Sequence, residues 1–320
     1  MIRLNMFSIK NSSSLKTFPK KLRVLINFVY RLLLQPRFIE ITTIIGCKNC
    51  CSYCPQSISV KNYAKISDER VMSFDTFKKC VDKIPKRVSI YFRGFSEPYQ
   101  NKDTSKMIRY AYDTGHGVAI FSTLVGMTMD DINVLKEICI NFFTIHVQNI
   151  EENFLDYDDF LHMLNELTFI NLREDLYFVY HGELDDRVKE WFRNNKYEPK
   201  RITLKSRASN LWSIDHRNGT LFCERMKNGI LLPNGDMVLC DQDMGMKAIL
   251  GNLLKDNYKD LYNNEQWKNI KKGMKNNDSD IVCRQCENAL PFVSNKFFQQ
   301  ITFSVIREIK EFFDNLKTRK

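Results

Sequence analysis

Between residues 38 and 206 the chain alternates short apolar runs with stretches of helical spacing. "FIEITTII" (38–45) is a run of β-branched and apolar positions that predicts a buried strand. "SFDTFKKCVDKI" (73–84) then spaces its apolar residues as a helix does, with Ser73 as N-cap. "RVSIYFRG" (87–94) predicts a second strand, and "TSKMIRYAYDTG" (104–115) a helix closed by Gly115. The alternation continues with "VAIFST" (118–123), a helix over 128–139, "FFTIHVQ" (142–148) and a helix over 156–170. "DLYFVYH" (175–181), a helix over 184–196 and "RITLKS" (201–206) complete it.

Six strand–helix alternations with strands apolar on both faces predict α/β architecture built on a parallel sheet. Six units are too few for a closed eight-fold barrel and fit a partial (β/α)6 TIM-like barrel. Parallel α/β folds carry their chemistry on the loops that follow the strands. Here those loops are "GCKNCCSYC" (46–54), "GFSEP" (94–98) and "STLVG" (122–126).

After residue 206 the pattern changes. "GILLPNGDMVLC" (229–240) reads as a β-hairpin, with Asn234-Gly235 favouring a type I′ turn that sets Cys240 across from Gly229. Gly229 then leaves room for a group to come close. A small, separate, β-containing region is expected over 207–290. In the extension 1–37, "KKLRVLINFVYRLLL" (20–34) puts Arg23, Asn27 and Arg31 on one stripe of an amphipathic helix. Such a helix either docks on the barrel or makes peripheral contact with an anionic membrane. The tail 291–320 predicts another amphipathic helix.

Composition narrows the class. Apolar residues at 43% and charged residues at 27% support a full core. The net charge of +10 sits largely in residues 1–38, which carry eight Lys or Arg and no acid. The rest is near neutral, which argues against a nucleic-acid partner. No apolar run is long enough to span a membrane and no signal peptide is read, so a cytoplasmic location is expected, at most peripheral to the membrane's inner face. In that compartment ten cysteines point to metal or redox chemistry rather than disulfides.

Cys47, Cys51 and Cys54 form a C-x3-C-x2-C pattern. Three thiolates suit a cubane [4Fe–4S] cluster whose fourth iron stays open. Structural zinc wants four ligands, and the adjacent Cys50 and Cys51 fit one tetrahedron poorly. Cys223, Cys240, Cys283 and Cys286 supply four thiolates, a count that suits a closed auxiliary cluster or a structural zinc. Cys50, Cys80 and Cys139 read as spectators, and the histidines other than His146 as structural.

C-x3-C-x2-C after the first strand of a partial barrel, with Tyr53 before the last cysteine, resembles the radical S-adenosylmethionine enzymes over residues 38–206. The resemblance implies that the open iron binds the methionine moiety of S-adenosylmethionine, and that one-electron reduction releases a 5′-deoxyadenosyl radical. The family's Gly-Gly-Glu-Pro stretch corresponds to Gly94-Phe95-Ser96-Glu97-Pro98, so Glu97 and the backbone at Gly94 would receive the methionine ammonium. Ser122 and Thr123 would contact ribose or carboxylate, with His146 and Gln148 as further contacts by their strand-end position. Tyr53 would pack near the adenine or pin the loop to the barrel. The four later cysteines, with Gly235 five residues before Cys240, resemble the auxiliary-cluster region of SPASM and twitch enzymes, and their number fits the shorter twitch form.

A twitch-type dehydrogenase that oxidises a cyclitol hydroxyl is an analogue within that resemblance. It implies a small-molecule, sugar-like substrate, an auxiliary [4Fe–4S] cluster as electron acceptor, and an external donor such as flavodoxin or ferredoxin. A lipid-linked sugar would suit a membrane-facing N-terminal helix. Arg207 in "KSRASN" stands where that analogue has an arginine at the substrate hydroxyl. Arginine is a poor base, so its expected role is to orient the hydroxyl. Two alternatives stay open: a peptide-modifying radical enzyme, and a metal-stabilised, non-catalytic binding protein. The intact Cys47, Cys51, Cys54 and Glu97 speak against the second.

Overall fold

The computed structural model describes residues 38–292 except Cys50, Ser52 and Asn153; both predicted terminal helices and the spectator assignment of Cys50 lie outside the described residues. Six parallel strands form the sheet's main body: β1 (Phe38–Ile41), β2 (Ser89–Phe92), β3 (Val118–Ser122), β4 (Phe142–Val147), β5 (Leu176–Tyr180) and β6 (Lys200–Arg201). They lie side by side in chain order, with β1 and β2 in register from Phe38↔Ser89 to Ile41↔Phe92. This is a partial (β/α)6 barrel.

Side-chain alternation divides the sheet into two faces. Ile39, Ile90, Phe92, Ile120, Phe143 and Ile145 join one buried core with Phe77, Ile108, Leu135, Leu164 and Trp191 of the helices. On the opposite face Phe38 stacks on Tyr91 at 4.2 Å. The ladder continues from Tyr91 to Phe142 at 5.4 Å and from Phe142 to Tyr177 at 5.9 Å. That aromatic floor lies under a lumen whose upper level carries Glu40, Arg93 and His146.

The helices are α1 (Gln56–Tyr63), α2 (Phe74–Val81), α3 (Thr104–Asp113), α4 (Met129–Lys136), α5 (Tyr157–Leu167) and α6 (Asp186–Asn195). Ser73 caps α2 by accepting from Thr76 N–H, as its sequence position suggests. Thr128 and Asp131 form a capping box on α4. The predicted elements run longer than the observed ones at both ends, because capping residues and turns occupy the predicted termini.

"RITLKS" departs most from its prediction: only Lys200–Arg201 pair as strand. Beyond it Arg207, Ala208 and Ser209 all take the left-handed conformation, with φ of 54°, 52° and 64°. Three such residues in a row are costly without glycine. Local bonds hold them: Leu211 N–H donates to Ser206 O at 2.9 Å and Asn210 N–H to Arg207 O at 3.2 Å. Glu287 takes the Ser206 N–H and, at 2.6 Å, its hydroxyl.

The predicted hairpin is present as β7 (Ile230–Leu231) and β8 (Asp236–Val238), but its register differs by one residue. Ile230 faces Val238, and Gly235 N–H closes a turn onto Leu232 O at 2.9 Å. Gly235 sits at φ +87°, the left-handed position that ends a three-residue loop. Pro233 presets the first corner of that turn, which displaces the type I′ geometry. Gly229 therefore does not face Cys240; a Cβ there would meet Met237 Cε at 2.6 Å, so its room serves packing. Nor is the hairpin a separate sheet. β7 pairs in parallel with β1, with Glu40 opposite Ile230, and β9 (Ile249–Asn252) extends the same nine-stranded sheet.

Beyond the hairpin, α7 (Tyr258–Leu261) and α8 (Glu265–Gly273) lead to a tight turn at Val282–Gln285. Arg284 in that turn is buried and gives Nη2 to Gly273 O at 2.9 Å and Nη1 to Arg217 O at 2.6 Å and Gly219 O at 2.7 Å. Arg284→Met keeps the apolar stem but strands three carbonyls; unsatisfied buried groups cost ~1–3 kcal/mol each. Urea unfolding of this variant should show about 3 kcal/mol lost, whereas a wild-type midpoint would mean that the carbonyls find other donors.

Candidate active site

The chain leaves β1 through Gly46, whose φ of +97° turns it into the cysteine loop. Gln56, in the first turn of α1, grips Cys47 from both sides: it accepts the Cys47 N–H and donates Nε2 to Cys47 O at 2.6 Å. Gln100, after β2, accepts from Lys48 N–H at 2.8 Å and donates to Asn49 Oδ1 at 2.9 Å and Cys47 Sγ at 3.6 Å. Asn49 in turn donates to Thr123 Oγ1 at 2.7 Å. Three strand-end loops are thus laced together by amide side chains. Sequence reasoning missed Gln56, Gln100 and Asn49, because a lone amide in a loop carries no spacing signal.

Cys47, Cys51 and Cys54 are half-buried in this loop. Burial, then the Glu152 charge, pushes the Cys51 thiol up to about 12 despite a hydrogen bond with Tyr53. Tyr53 packs edge-on to His181 at 5.3 Å.

Glu97 is 5% exposed, and the structure brings it together with Ser122 and Thr123. Ser122 Oγ donates to Oε1 at 2.6 Å; Thr123 gives its N–H at 2.6 Å and its hydroxyl at 2.8 Å to Oε2. Burial raises the Glu97 pKa, and those bonds work against the rise. Gly94, at φ +137°, lets its loop press on β1: a Cβ would lie 2.3 Å from Thr42 Oγ1. Beside Glu97 the Ser96 hydroxyl is buried without a partner among the described residues.

Cys223, Cys240, Cys283 and Cys286 are buried and line one cavity. Burial, followed by the neighbouring Cys286 thiol, pushes Cys223 up to about 12, and burial raises the other three as well. Four packed thiols become ligands only around a cationic centre that deprotonates them. Gln242 Oε1 and Asn288 Nδ2, also lining the cavity, lack partners among the described residues. Among those residues no three Cys, His, Asp or Glu side chains converge as the ligands of a single metal ion do. A cubane, by contrast, takes its thiolates on separate corner irons.

Asp241 follows Cys240 and is a hub. Its Oδ2 lies 2.6 Å from Arg225 Nη1, 3.2 Å from Arg93 Nη2 and 3.9 Å from Arg207 Nη1. Burial alone would raise its pKa; Arg225, Arg93 and Arg207 override that and hold it at about 2. Arg93 Nε also lies 3.2 Å from Glu40 Oε2, whose burial lifts Glu40 to about 7 against the pull of Arg93. His146 lies on the lumen side of β4; burial, then the charges of Arg93 and Arg207, lowers it to about 4. It thus faces the lumen's arginines. Gln148 is occupied otherwise: it donates to Leu155 O at 2.8 Å and accepts from Leu155 N–H at 3.0 Å, stapling its own loop.

Residues 223–287 match the family model of SPASM, an iron–sulfur cluster-binding domain. No curated protein matches the chain. Among solved structures, BtrN in complex with AdoMet and 2-DOIA is 18% identical, covering 80% of this chain and 93% of that one, at a TM-score of 0.54. The chain has the fold of the radical S-adenosylmethionine enzymes and carries a SPASM domain. Streptococcus suis SuiB bound to precursor peptide SuiA shares that fold at 11% identity, over 84% of this chain and 75% of its own, with a TM-score of 0.56. So does anSMEcpe with bound AdoMet and Kp18Cys peptide, at 13% identity, 88% and 99% coverage and a TM-score of 0.53.

The residues fit the groups this fold carries. The four-cysteine cavity of the SPASM domain suits a closed [4Fe–4S] cluster, and Cys47, Cys51 and Cys54 suit one with an open iron. Glu97 and the spare Ser96 hydroxyl suit the polar end of S-adenosylmethionine. Glu97→Gln should weaken S-adenosylmethionine binding by about tenfold to a hundredfold, the worth of a charge-assisted hydrogen bond. Anaerobic equilibrium dialysis with the labelled cofactor would read it, with iron content unchanged. Wild-type affinity in the variant would remove Glu97 from the cofactor site.

Proposed function

We propose that this protein is a radical S-adenosylmethionine oxidoreductase that oxidises a secondary alcohol of a sugar or cyclitol. When bound, the cofactor and the two clusters supply what this needs: abstraction of a hydrogen atom from carbon and a one-electron acceptor. Cys47, Cys51 and Cys54 would hold the open cluster, and Cys223, Cys240, Cys283 and Cys286 the auxiliary one. Glu97, Ser122, Thr123 and Gly94 would seat the cofactor's methionine end, with Tyr53 at the loop above.

The observation that carries the reading is the ion pair of Arg207 with Asp241 at 3.9 Å. It puts an arginine on the lumen side of the residue next to Cys240, so a hydroxyl it held would lie beside the auxiliary site. Arg207 donates to that oxygen and steadies the negative charge left when the hydroxyl proton passes to solvent; it stays protonated throughout. BtrN, which shares the fold, is complexed with 2-DOIA, and this favours a small-molecule substrate. An external one-electron donor of the flavodoxin or ferredoxin kind completes the scheme. The peptide-modifying reading has its own support in SuiB, bound to precursor peptide SuiA.

The test is anaerobic incubation of cluster-loaded protein with reductant, S-adenosylmethionine and a panel of sugars and cyclitols deuterated at the carbinol carbon. The expected result is deuterium in 5′-deoxyadenosine, with a ketone two mass units lighter than the undeuterated alcohol. Arg207→Lys should lower kcat by tenfold or more, because lysine cannot reproduce the guanidinium's fork. 5′-Deoxyadenosine formed with the substrate's oxidation state unchanged would overturn the reading. Modification of a short peptide instead would establish the alternative.

A further inference from the structure

The lumen holds more positive charge than its own carboxylates balance. Arg93, Arg207 and Arg225 face two acids, Glu40 and Asp241. All three guanidiniums aim at the same oxygen of Asp241, and none is closed off: their side chains are 24%, 38% and 34% exposed. A guanidinium carries five N–H donors. Among the described residues, Arg93 and Arg225 each spend one in a hydrogen bond to Asp241, and Arg207 spends none.

The three are not equivalent. Arg225 lines the four-cysteine cavity, where its charge lowers the pKa of Cys223. Arg93 and Arg207 act together on His146 from the barrel side. Arg93 also lies over Phe121, with Cζ 4.5 Å from the ring centroid, a cation–π contact that restrains it. Arg207 projects from the left-handed run held by Ser206, Asn210 and Glu287. Strained backbone held this firmly marks a side chain whose direction matters.

We propose that Arg93 and Arg207 form an oxyanion seat in the barrel lumen, and that the substrate carries a carboxylate or phosphate group. Paired guanidiniums with free edges match the planar or tetrahedral oxygens of such a group. The seat names the substrate class of the alcohol-oxidation reading and rests on it only for the identity of the pocket. With five donors, Arg207 can give one edge to the anion and still reach the reacting hydroxyl with another, and neutral sugars would bind poorly.

Equilibrium dialysis tests this without turnover, using the full-length, cluster-loaded chain with S-adenosylmethionine and no reductant. The probes are inorganic phosphate, glucuronate and glucose, each radiolabelled. Phosphate or glucuronate should be retained and glucose not, and the better anion separates a phosphorylated from a carboxylated substrate. Arg207→Gln and Arg93→Gln should each weaken retention by tenfold or more, with iron content and cofactor binding as the check on folding. If Arg93→Gln loses its clusters, Arg207→Gln decides alone, since its guanidinium makes no hydrogen bond among the described residues. Retention unaltered by Arg207→Gln, or no anion held by the wild type, would overturn the seat. Alcohol oxidation is read from product oxidation state, so the two ideas fail separately.

Discussion

Asp241 Oδ2 receives guanidiniums from three stretches of chain: Arg93 after the second barrel strand, Arg207 after the sixth, and Arg225 beside Cys223. Removing a buried partner of this kind costs about 3–5 kcal/mol, because the opposing charges lose their counter-ion. The consequence is positional. Asp241 is joined by one peptide bond to Cys240, so whatever fixes the carboxylate also fixes a cysteine of the SPASM domain against the barrel lumen. The parallel pairing of Ile230–Leu231 with the first strand makes the same attachment through the backbone.

Burial disfavours the thiolate at Cys47 and Cys51 in the barrel loop and at all four SPASM-domain cysteines. In the SPASM domain burial drives all four thiols upward, and each thiolate formed would repel the next. In the barrel loop amide clamps fix the backbone around Cys47, while Glu97 waits nearby with its oxygens already engaged by Ser122 and Thr123. The SPASM-domain cysteines are buried, whereas Cys47, Cys51 and Cys54 are half-buried. That contrast suits the pairing of a closed iron–sulfur centre with an open one.

Much of this was legible from spacing. The parallel sheet showed in the repeated apolar runs, and the two cysteine sets in their intervals. The bringing together of Glu97, Ser122 and Thr123 followed from one rule, that loops after parallel strands share a rim. Other features were hidden for physical reasons. Gly229 looked like space for a cluster, but Pro233 shifted the turn by one residue and gave that space to Met237. Gln148 looked like a contact at a strand end, yet its amide is consumed by the following loop. Arg93, Glu40 and Asp241 carried no signal, because an ion pair spanning such separations leaves no trace in spacing. The same holds for Gln56 and Gln100.

The central claim is two iron–sulfur sites of different kinds. Iron, sulfide and zinc analysis of anaerobically purified protein, with EPR of the reduced form, tests it most directly when a Cys47/Cys51/Cys54→Ala variant is measured alongside. Two cubanes amount to about eight irons per chain, so the wild type should approach that number and the variant about four. S-adenosylmethionine should alter the EPR signal of the wild type only. Zinc in place of iron at both sites, with no cluster formed on reconstitution, would contradict the account at its base.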